Sequence, residues 1–222
     1  MTVKAIVFDF DGVITESMDI KTKAFAYLFR NYSENILKKI IKLHLDNGGM
    51  SRYEKFRIIY KDYLKCNLTK NEEERLGREF SEFCLSKMIT CPYVKGAKEF
   101  LEANHKKYMF FIVSGTPHDE INHIAQIRQL HKYFIGVWGT PKTKSELLKM
   151  ILKEYALKPA EVVFIGDATT DYDGAKDAGI RFVARIASGK YNPFESNMFK
   201  IEYSIEDLSS LEDLLSKIKN SQ

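Results

Sequence analysis

The segment VKAIVFDFDGVITES, residues 3–17, places an apolar run directly before a pair of aspartates. The run AIVF, residues 5–8, is short, rich in β-branched and aromatic residues, and followed by DFDG, a pattern that predicts a buried strand. Strands buried on both faces of a parallel sheet have this composition. Ligands of such sheets bind beyond the carboxyl ends of the strands. The segment therefore predicts an α/β protein in which Asp9 and Asp11 lie at the ligand-binding edge.

Asp9 and Asp11 have the spacing that brings two side chains to the same side of an extended chain, with Phe10 between them pointing the opposite way. Two carboxylates that lie close together repel each other unless a cation sits between them. Aspartate oxygens suit a hard cation, and Mg²⁺ is the expected one. The alternative interpretation is that the pair only solvates the end of a strand and caps a turn.

The stretch DFDGVITES resembles the first motif, DxDG(V/T)xxxS, of the haloacid dehalogenase-like phosphohydrolases. The resemblance implies that Asp9 is a nucleophile that forms an aspartyl-phosphate. It also implies that Asp11 protonates the leaving group and then deprotonates the attacking water. Carboxylate nucleophiles are established in phosphoryl transfer. Dehalogenation is not expected, because the true dehalogenases of this superfamily lack an acid–base aspartate at the position of Asp11.

The composition of the 222-residue chain limits its class. With 45% hydrophobic and 29% charged residues it is typical of a soluble globular protein, large enough for one domain with an insertion. A net charge of +4, with both signs interspersed, does not favour nucleic-acid binding. Three sparse cysteines, Cys66, Cys84 and Cys91, indicate a reducing compartment. No stretch approaches the roughly 20 apolar residues of a membrane span, so we expect a cytoplasmic protein without membrane or nucleic-acid partners.

The order of apolar patterns along the chain predicts the architecture. From Met18 to Ile89 the apolar residues follow the i, i+3, i+4, i+7 spacing of helices, which predicts four of them. Strands then alternate with helices, which predicts a doubly wound parallel sheet; the strands are expected at Tyr108–Val113, Ile135–Trp138, Val162–Ile165 and Ile180–Ala184. We therefore expect an α/β core formed by residues 1–15 and 93–222, with an inserted helical cap at 16–92. The resemblance implies the same placement, a cap between the first and second motifs.

Two further strands end in small polar clusters. Ser114 and Gly115 follow the strand at 108–113, and a glycine there lets backbone N–H groups approach an anion. The resemblance implies that Ser114 hydrogen-bonds the transferred phosphoryl group and that Gly115 contributes to binding it. The alternative is a strand-to-helix turn with a hydroxyl cap.

The strand at 162–165 ends in GDATTDYDGAKDAG, which resembles the fourth motif of the family, GDxxxD followed by AxxAG. The resemblance implies that Asp167 completes the metal site with Asp9 and the backbone carbonyl of Asp11. It implies that Asp171 holds a lysine or a metal-bound water, so Asp171 joins the expected metal site. Asp9, Asp11, Asp167 and Asp171 are thus the candidate ligands.

A lysine is expected among these acids. In GTPKTKSELL a cation stands at the start of a predicted helix, where the helix dipole disfavours it unless an anion lies nearby. The family's lysine binds the phosphoryl group, and the resemblance favours Lys144 for this role. Lys142 is the alternative, because another form of the motif aligns there.

The segment HLDNGGMSRYEKF, residues 44–56, interrupts the helical pattern with two glycines. Such a loop in a lid is where a hinge or a substrate loop is expected. It resembles the specificity loop of β-phosphoglucomutase-like and phosphoglycolate-phosphatase-like members, which implies that Arg52 contacts a second anionic or polar group of the substrate. The alternative is a helix capped by Ser51 with exposed charges. Lys21 stands at the start of the cap where many relatives have histidine.

Together these features predict a phosphatase that cleaves a small phosphorylated metabolite with Mg²⁺ through an aspartyl-phosphate. One alternative is a β-phosphoglucomutase-like mutase; those enzymes usually carry Glu-Asp in the fourth motif, where this chain has Gly166-Asp167. A non-catalytic binding module on the same fold is the other. The sequence leaves monomer and dimer open.

Overall fold

The computed structural model describes residues 2–196 and 198–220. Six strands form a single sheet in the order β3-β2-β1-β4-β5-β6, and every neighbouring pair is parallel. The strands are β1 Ala5–Phe8, β2 Met109–Pro117, β3 Gly136–Thr140, β4 Val162–Gly166, β5 Arg181–Arg185 and β6 Tyr203–Ile205. The predicted doubly wound parallel sheet is therefore confirmed.

Strand β1 lies in the middle of the sheet, and all four of its residues are buried. Its last residue, Phe8, is level with Ile112 of β2 and with Ile165 of β4. The three strands therefore reach the same edge of the sheet together, and the polar residues that follow them meet there.

Helices fill the connections. Those described are α1 Met18–Leu28, α2 Glu34–Asp46, α3 Arg52–Ile58, α4 Lys70–Thr90, α5 Ala97–Asn104, α6 His118–Ile127, α7 Lys144–Glu154, α8 Thr169–Asp177 and α9 Leu211–Asn220. A π-helical turn, Ile59–Leu64, continues α3. Helices α1 to α5 all lie between β1 and β2. None of the described helices is both long enough and apolar enough to cross a membrane.

The apolar core has two layers, because alternate strand residues face opposite sides of the sheet. Val7 and Phe164 pack with helices α7 and α8 on one side. Phe8 and Phe110 lie in the larger layer on the other side, which continues into the helices between β1 and β2. There the ring centroid of Phe25 lies 5.1 Å from that of Phe80 and 5.9 Å from that of Phe56. The aromatic stripes of these helices thus pack against one another within an apolar layer that is continuous with the sheet.

Two strands differ from the predictions. Strand β2 does not end at Val113 but continues in extended form to Pro117, which pairs with Thr140 of β3 after an irregular register. Strand β6 was not predicted. It has only three residues, and Tyr203 and Ser204 are not buried, so its sequence shows no alternation of apolar and polar residues.

Candidate active site

Asp9 follows β1 directly and is only 3% exposed. The backbone N–H of Phe10 donates to its Oδ1 atom over 2.7 Å, while the Phe10 ring is fully buried in the core. Asp9 and Asp11 both line one cavity at the edge of the sheet. The alternation predicted from the sequence therefore places the two carboxylates at one site.

Three carboxylates form a cluster at this edge. Oxygens of Asp9, Asp167 and Asp171 all lie within 4.8 Å of one another. Asp167 follows β4, and Asp171 lies in the first turn of α8, where its Oδ2 atom accepts from the N–H of Ala168 at 2.9 Å. The carboxylate of Asp11 is not one of the three and faces Lys21 instead.

The cluster carries excess negative charge. Burial raises the pKa of Asp9 to about 7, with the charges of Asp171 and Asp11 adding to the rise and Lys144 opposing it. Burial and the neighbouring charge of Asp9 likewise raise the pKa of Asp167 well above its ordinary value. Oxygen ligands at this spacing suit a hard divalent cation, which would offset the repulsion.

Lys144 is the cation that the structure places against this cluster. Its Nζ atom lies 3.0 Å from Asp9 Oδ2 and also forms an ion pair with Asp171 Oδ1. Burial lowers the pKa of Lys144, but the carboxylates of Asp171 and Asp9 outweigh it and hold that pKa above the usual range. Lys142, the alternative, is exposed, with its Nζ atom 3.7 Å from Met150 Sδ.

The start of α7 explains how a lysine comes to this position. Thr143 caps the helix by accepting from the N–H of Glu146, and the Glu146 carboxylate accepts from the N–H of Thr143, as the capping box predicts. Lys144 is then the first helical residue. The helix dipole disfavours a cation there, and the two carboxylates compensate for it.

The end of β2 brings two hydroxyl side chains and a glycine to the same edge. Ser114 is 1% exposed and accepts from the N–H of Thr116 over 3.1 Å. A Cβ atom on Gly115 would lie 2.6 Å from the carbonyl oxygen of Gly49, so only glycine fits beneath that loop. The Thr116 hydroxyl donates to Asp11 Oδ2 over 3.1 Å.

A polar network surrounds Asp11. Its Oδ1 atom accepts from the Ser17 hydroxyl over 2.6 Å, and its Oδ2 atom pairs with Lys21, which also donates to Thr116 over 3.0 Å. Burial would raise the pKa of Asp11, but Lys21 reverses this and lowers it. Sequence reasoning assigned no role to Ser17, Lys21 or Thr116. The sequence could have indicated two of them. Ser17 and Lys21 are four residues apart at the start of α1, a spacing that places both side chains on the same face of the helix.

The loop between α2 and α3 covers this site. A Cβ atom on Gly49 would lie 2.0 Å from Thr170 Oγ1 and 2.9 Å from Lys144 Nζ. Its close approach explains the glycine at position 49. Ser51 caps α3 in a capping box with Glu54, as the alternative interpretation of this segment expected.

Arg52 is buried rather than exposed, at 6% exposure, and it lines the cavity. Its guanidinium pairs with Glu120 of α6 at 2.6 Å and donates to the Ser81 hydroxyl over 2.8 Å. It therefore also joins α3 to α6. Glu120 was missed from the sequence because it lies 68 residues from its partner.

The cavity lies between the helices after β1 and the edge of the sheet. Asp9 and Asp11 line it. The other lining side chains are polar and aromatic, and they include Lys21, Phe25, His44, Arg52, Lys55 and Phe80. The two carboxylates therefore share the cavity with basic and aromatic side chains of these helices.

Comparison with known proteins gives a consistent result. A family model described as haloacid dehalogenase-like hydrolase matches residues 3–179. The chain is 27% identical over 186 residues to the "Phosphorylated carbohydrates phosphatase" of Thermotoga maritima, covering 80% of this chain and 82% of that protein. It is 27% identical over 237 residues to the "Glyceraldehyde 3-phosphate phosphatase" of Methanocaldococcus jannaschii, covering 98% of each.

Among solved structures, a β-phosphoglucomutase from Clostridium difficile superimposes with a TM-score of 0.77. The match covers 99% of this chain and 98% of the other, at 19% identity. At that identity the likeness describes the fold alone.

Proposed function

This chain belongs to the haloacid dehalogenase-like hydrolase family, and from that premise we propose that it hydrolyses small phosphomonoesters with Mg²⁺ through an aspartyl-phosphate. The observation that carries this proposal is the buried contact between Asp9 and Lys144 inside the cluster completed by Asp167 and Asp171. A carboxylate held beside a lysine at a cation site has what phosphoryl transfer requires: a nucleophile, a positive charge and a place for the metal.

The residues present fit a magnesium ion. Asp9 and Asp167 would hold it with the backbone carbonyl of Asp11, and Asp171 would hold Lys144 or a metal-bound water. Their closely spaced oxygens and the raised pKa values of Asp9 and Asp167 support this assignment. When bound, Mg²⁺ supplies the charge neutralisation that lets an anionic phosphoryl group approach an anionic nucleophile.

In the proposed reaction, the Asp9 carboxylate attacks phosphorus, and the bond from phosphorus to the ester oxygen breaks. Asp11 delivers a proton to that oxygen, and the alcohol leaves. Asp11 then takes a proton from a water that attacks the aspartyl-phosphate, which releases phosphate and restores Asp9. The ion pair with Lys21 favours the ionised form of Asp11, which accepts the proton in the second half, whereas the first half starts from the protonated form.

Ser114, Gly115 and Lys144 are the proposed ligands of the phosphoryl oxygens. Ser114 supplies a hydroxyl, Gly115 a backbone N–H at the end of an extended strand, and Lys144 an ammonium. We propose Arg52 as a further substrate contact, since it lines the cavity beside Phe80.

We propose that residues 16–92 act as a cap on a core formed by 1–15 and 93–222. The close approach of Gly49 to Thr170 and of Gly115 to the Gly49 carbonyl supports this division, because the loop at 47–51 lies directly on the site. Enclosure of this kind suits a small phosphorylated metabolite. The names of the two phosphatase relatives point to phosphorylated carbohydrates, which we propose as the class to test first.

Gly166 supports hydrolysis over the mutase alternative. A Cβ atom there would lie 2.3 Å from the Cβ atom of Asp171, so the glutamate usual at this position in β-phosphoglucomutases does not fit here.

Metal dependence tests the proposed reaction. We expect purified protein with Mg²⁺ to release inorganic phosphate from members of a panel of small phosphomonoesters. EDTA should lower the rate at least about 100-fold, because several kcal/mol of charge stabilisation are lost, and added Mg²⁺ should restore it. Failure to release phosphate from any ester of the panel would contradict the proposal.

Gly12→Ala should disturb the metal site through Asp167. Gly12 has a φ of +76°, and a Cβ atom there would lie 1.9 Å from Asp167 Oδ2. Displacing that carboxylate should lower kcat/KM about 100-fold, as misplacements of about 1 Å do. Steady-state phosphate release measures the effect.

Gly189→Ala is the matched control for this change. Gly189 has a similar φ of +69°, but nothing lies within 4 Å of its Cβ position. Both variants should lose about 1–2 kcal/mol of stability from the left-handed backbone, measured by urea denaturation. Only Gly12→Ala should lose activity, and equal activity in the two variants would contradict this account.

A further inference from the structure

Lys55 is a buried lysine that the proposed reaction does not use. It belongs to α3, is 2% exposed, and lines the same cavity as Asp9 and Asp11. Its Nζ atom lies 3.0 Å from Nδ1 of His44, which is 1% exposed. No carboxylate in residues 2–196 and 198–220 forms an ion pair with Lys55, so this buried amine lacks a carboxylate partner there.

Three other cationic side chains at the site do have carboxylate partners. Lys21 pairs with Asp11, Arg52 pairs with Glu120 at 2.6 Å, and Lys144 pairs with two carboxylates. Lys55 differs from them because its described hydrogen-bond partner is a histidine. Among the lysines and arginines that line the cavity in the described chain, Lys55 is therefore the one without a carboxylate partner.

An arrangement of this kind costs stability. Burying an ammonium without a carboxylate is unfavourable, and burial together with the charge of Lys21 lowers the pKa of Lys55 well below its usual value. Burial and Lys55 also lower the pKa of His44, which keeps that ring neutral. Costly buried groups of this type are characteristic of functional sites, where stability is given up for activity.

We propose that Lys55 binds a second anionic group of the substrate, a carboxylate or a second phosphate, while the reacting phosphoryl group lies against Asp9. The inference rests on the proposed phosphatase function and narrows its substrate class to small phosphomonoesters with an anion at the other end. Such an anion supplies the counter-charge that the described residues do not.

Arg52 was the residue expected for this contact from the sequence, and its position explains why Lys55 suits it better. The Arg52 guanidinium is engaged by Glu120 and Ser81 and lies 4.6 Å from the ring centroid of Phe80. Lys55 stands three residues later on α3, close to the same helix face, without a competing carboxylate. Arg52 thus also connects the helices, whereas the amine of Lys55 has no carboxylate that a second anion of the substrate would have to displace.

Matched substrate pairs test this inference in the wild-type protein with Mg²⁺. One pair is 3-phosphoglycerate and glycerol 3-phosphate, which differ by a carboxylate; the other is propane-1,3-diol bisphosphate and its monophosphate. We expect kcat/KM to favour the anionic member of at least one pair by roughly 10–100-fold, the size expected of a charged hydrogen bond. The pair that responds identifies the anion.

Lys55→Met is the test variant, and Lys61→Met, at an exposed position of the same segment, is the matched control. Lys55→Met should raise KM for the anionic substrate. The ratio of kcat/KM between the anionic and the other member of the pair should then fall to within about threefold of unity. Lys61→Met should retain the preference of the wild type. The Tm of Lys55→Met should be no lower than that of the wild type, because a buried amine without a carboxylate is replaced by an apolar chain; a structural role would lower it.

The outcomes separate the two proposals. Phosphate release at equal kcat/KM from both members of each pair would overturn the Lys55 inference and leave the phosphatase function standing. A preference that persists in Lys55→Met would overturn it as well. No phosphate release from any of the four substrates or from the wider ester panel would overturn the proposed function and this inference with it.

Discussion

Asp9→Asn should lower phosphate release by at least about 10,000-fold while the protein stays folded, because the amide is not a nucleophile for phosphorus. The substitution preserves the shape of the side chain. The Asn carbonyl oxygen can still accept from the N–H of Phe10, which donates to Asp9 over 2.7 Å. Steady-state phosphate release with Mg²⁺ measures the loss, and circular dichroism shows whether the fold is retained.

The same variant should change how stability depends on pH. The pKa of Asp9 is raised from 3.8 to about 7 by burial and by neighbouring charge. Between these values the folded metal-free protein binds a proton that the unfolded chain has released, so its stability falls as the pH rises through this window. Asp9→Asn removes this dependence, and urea denaturation at several pH values without metal should show a flatter profile.

Asp213→Asn is the control for Asp9→Asn. Asp213 is an exposed acid on α9, and its loss should leave the rate unchanged. A rate near that of the wild type in Asp9→Asn would refute the nucleophile assignment. A loss of similar size in Asp213→Asn would show that the effect is not specific to the site.

Lys144→Met should damage both activity and stability. Lys144 is 7% exposed and pairs with Asp9 at 3.0 Å and with Asp171. Removing it leaves two buried carboxylates without their cation, which should cost about 3–5 kcal/mol of unfolding free energy. Loss of a charge that stabilises the transition state should lower kcat about 100- to 1,000-fold. Urea denaturation and phosphate release measure the two effects.

Lys142→Met is the matched control, and it decides between the two lysines that the sequence left open. Lys142 is exposed and lies near Met150 rather than near a carboxylate. Its replacement should leave both stability and rate close to those of the wild type. The opposite pattern, a large loss in Lys142→Met and a small one in Lys144→Met, would contradict the proposed role of Lys144.

Local sequence patterns were sufficient to predict the parallel sheet and many residues of the candidate site. Strand β1 and the aspartates after it could be recognised because a strand buried on both faces has a distinctive composition, and its carboxyl end lies where ligands bind. The same reasoning located Ser114 near the end of β2 and Asp167 directly after β4. Lys144 could be anticipated because a cation at a helix start needs an anion nearby.

Contacts between distant segments could not be obtained in this way. Thr116 reaches Asp11 because β2 stays extended beyond Val113, which the turn-like sequence SGTP did not indicate. Strand β6, at the edge of the sheet, has too few residues for an apolar alternation to be recognised. Glu120 meets Arg52 only once α3 lies over α6.

The sequence by itself determined the fold class, the edge of the sheet where chemistry is expected and the acids that meet there, because composition, periodicity and motif spacing are local properties of the chain. Only the tertiary structure decided which cations are paired and which is not. In the sequence, Lys21, Arg52, Lys55 and Lys144 are all basic residues of helical segments, yet Lys55 is the one beside a histidine rather than a carboxylate. That difference arises from how the helices pack over the sheet, since burial and distance set the energy of a charge.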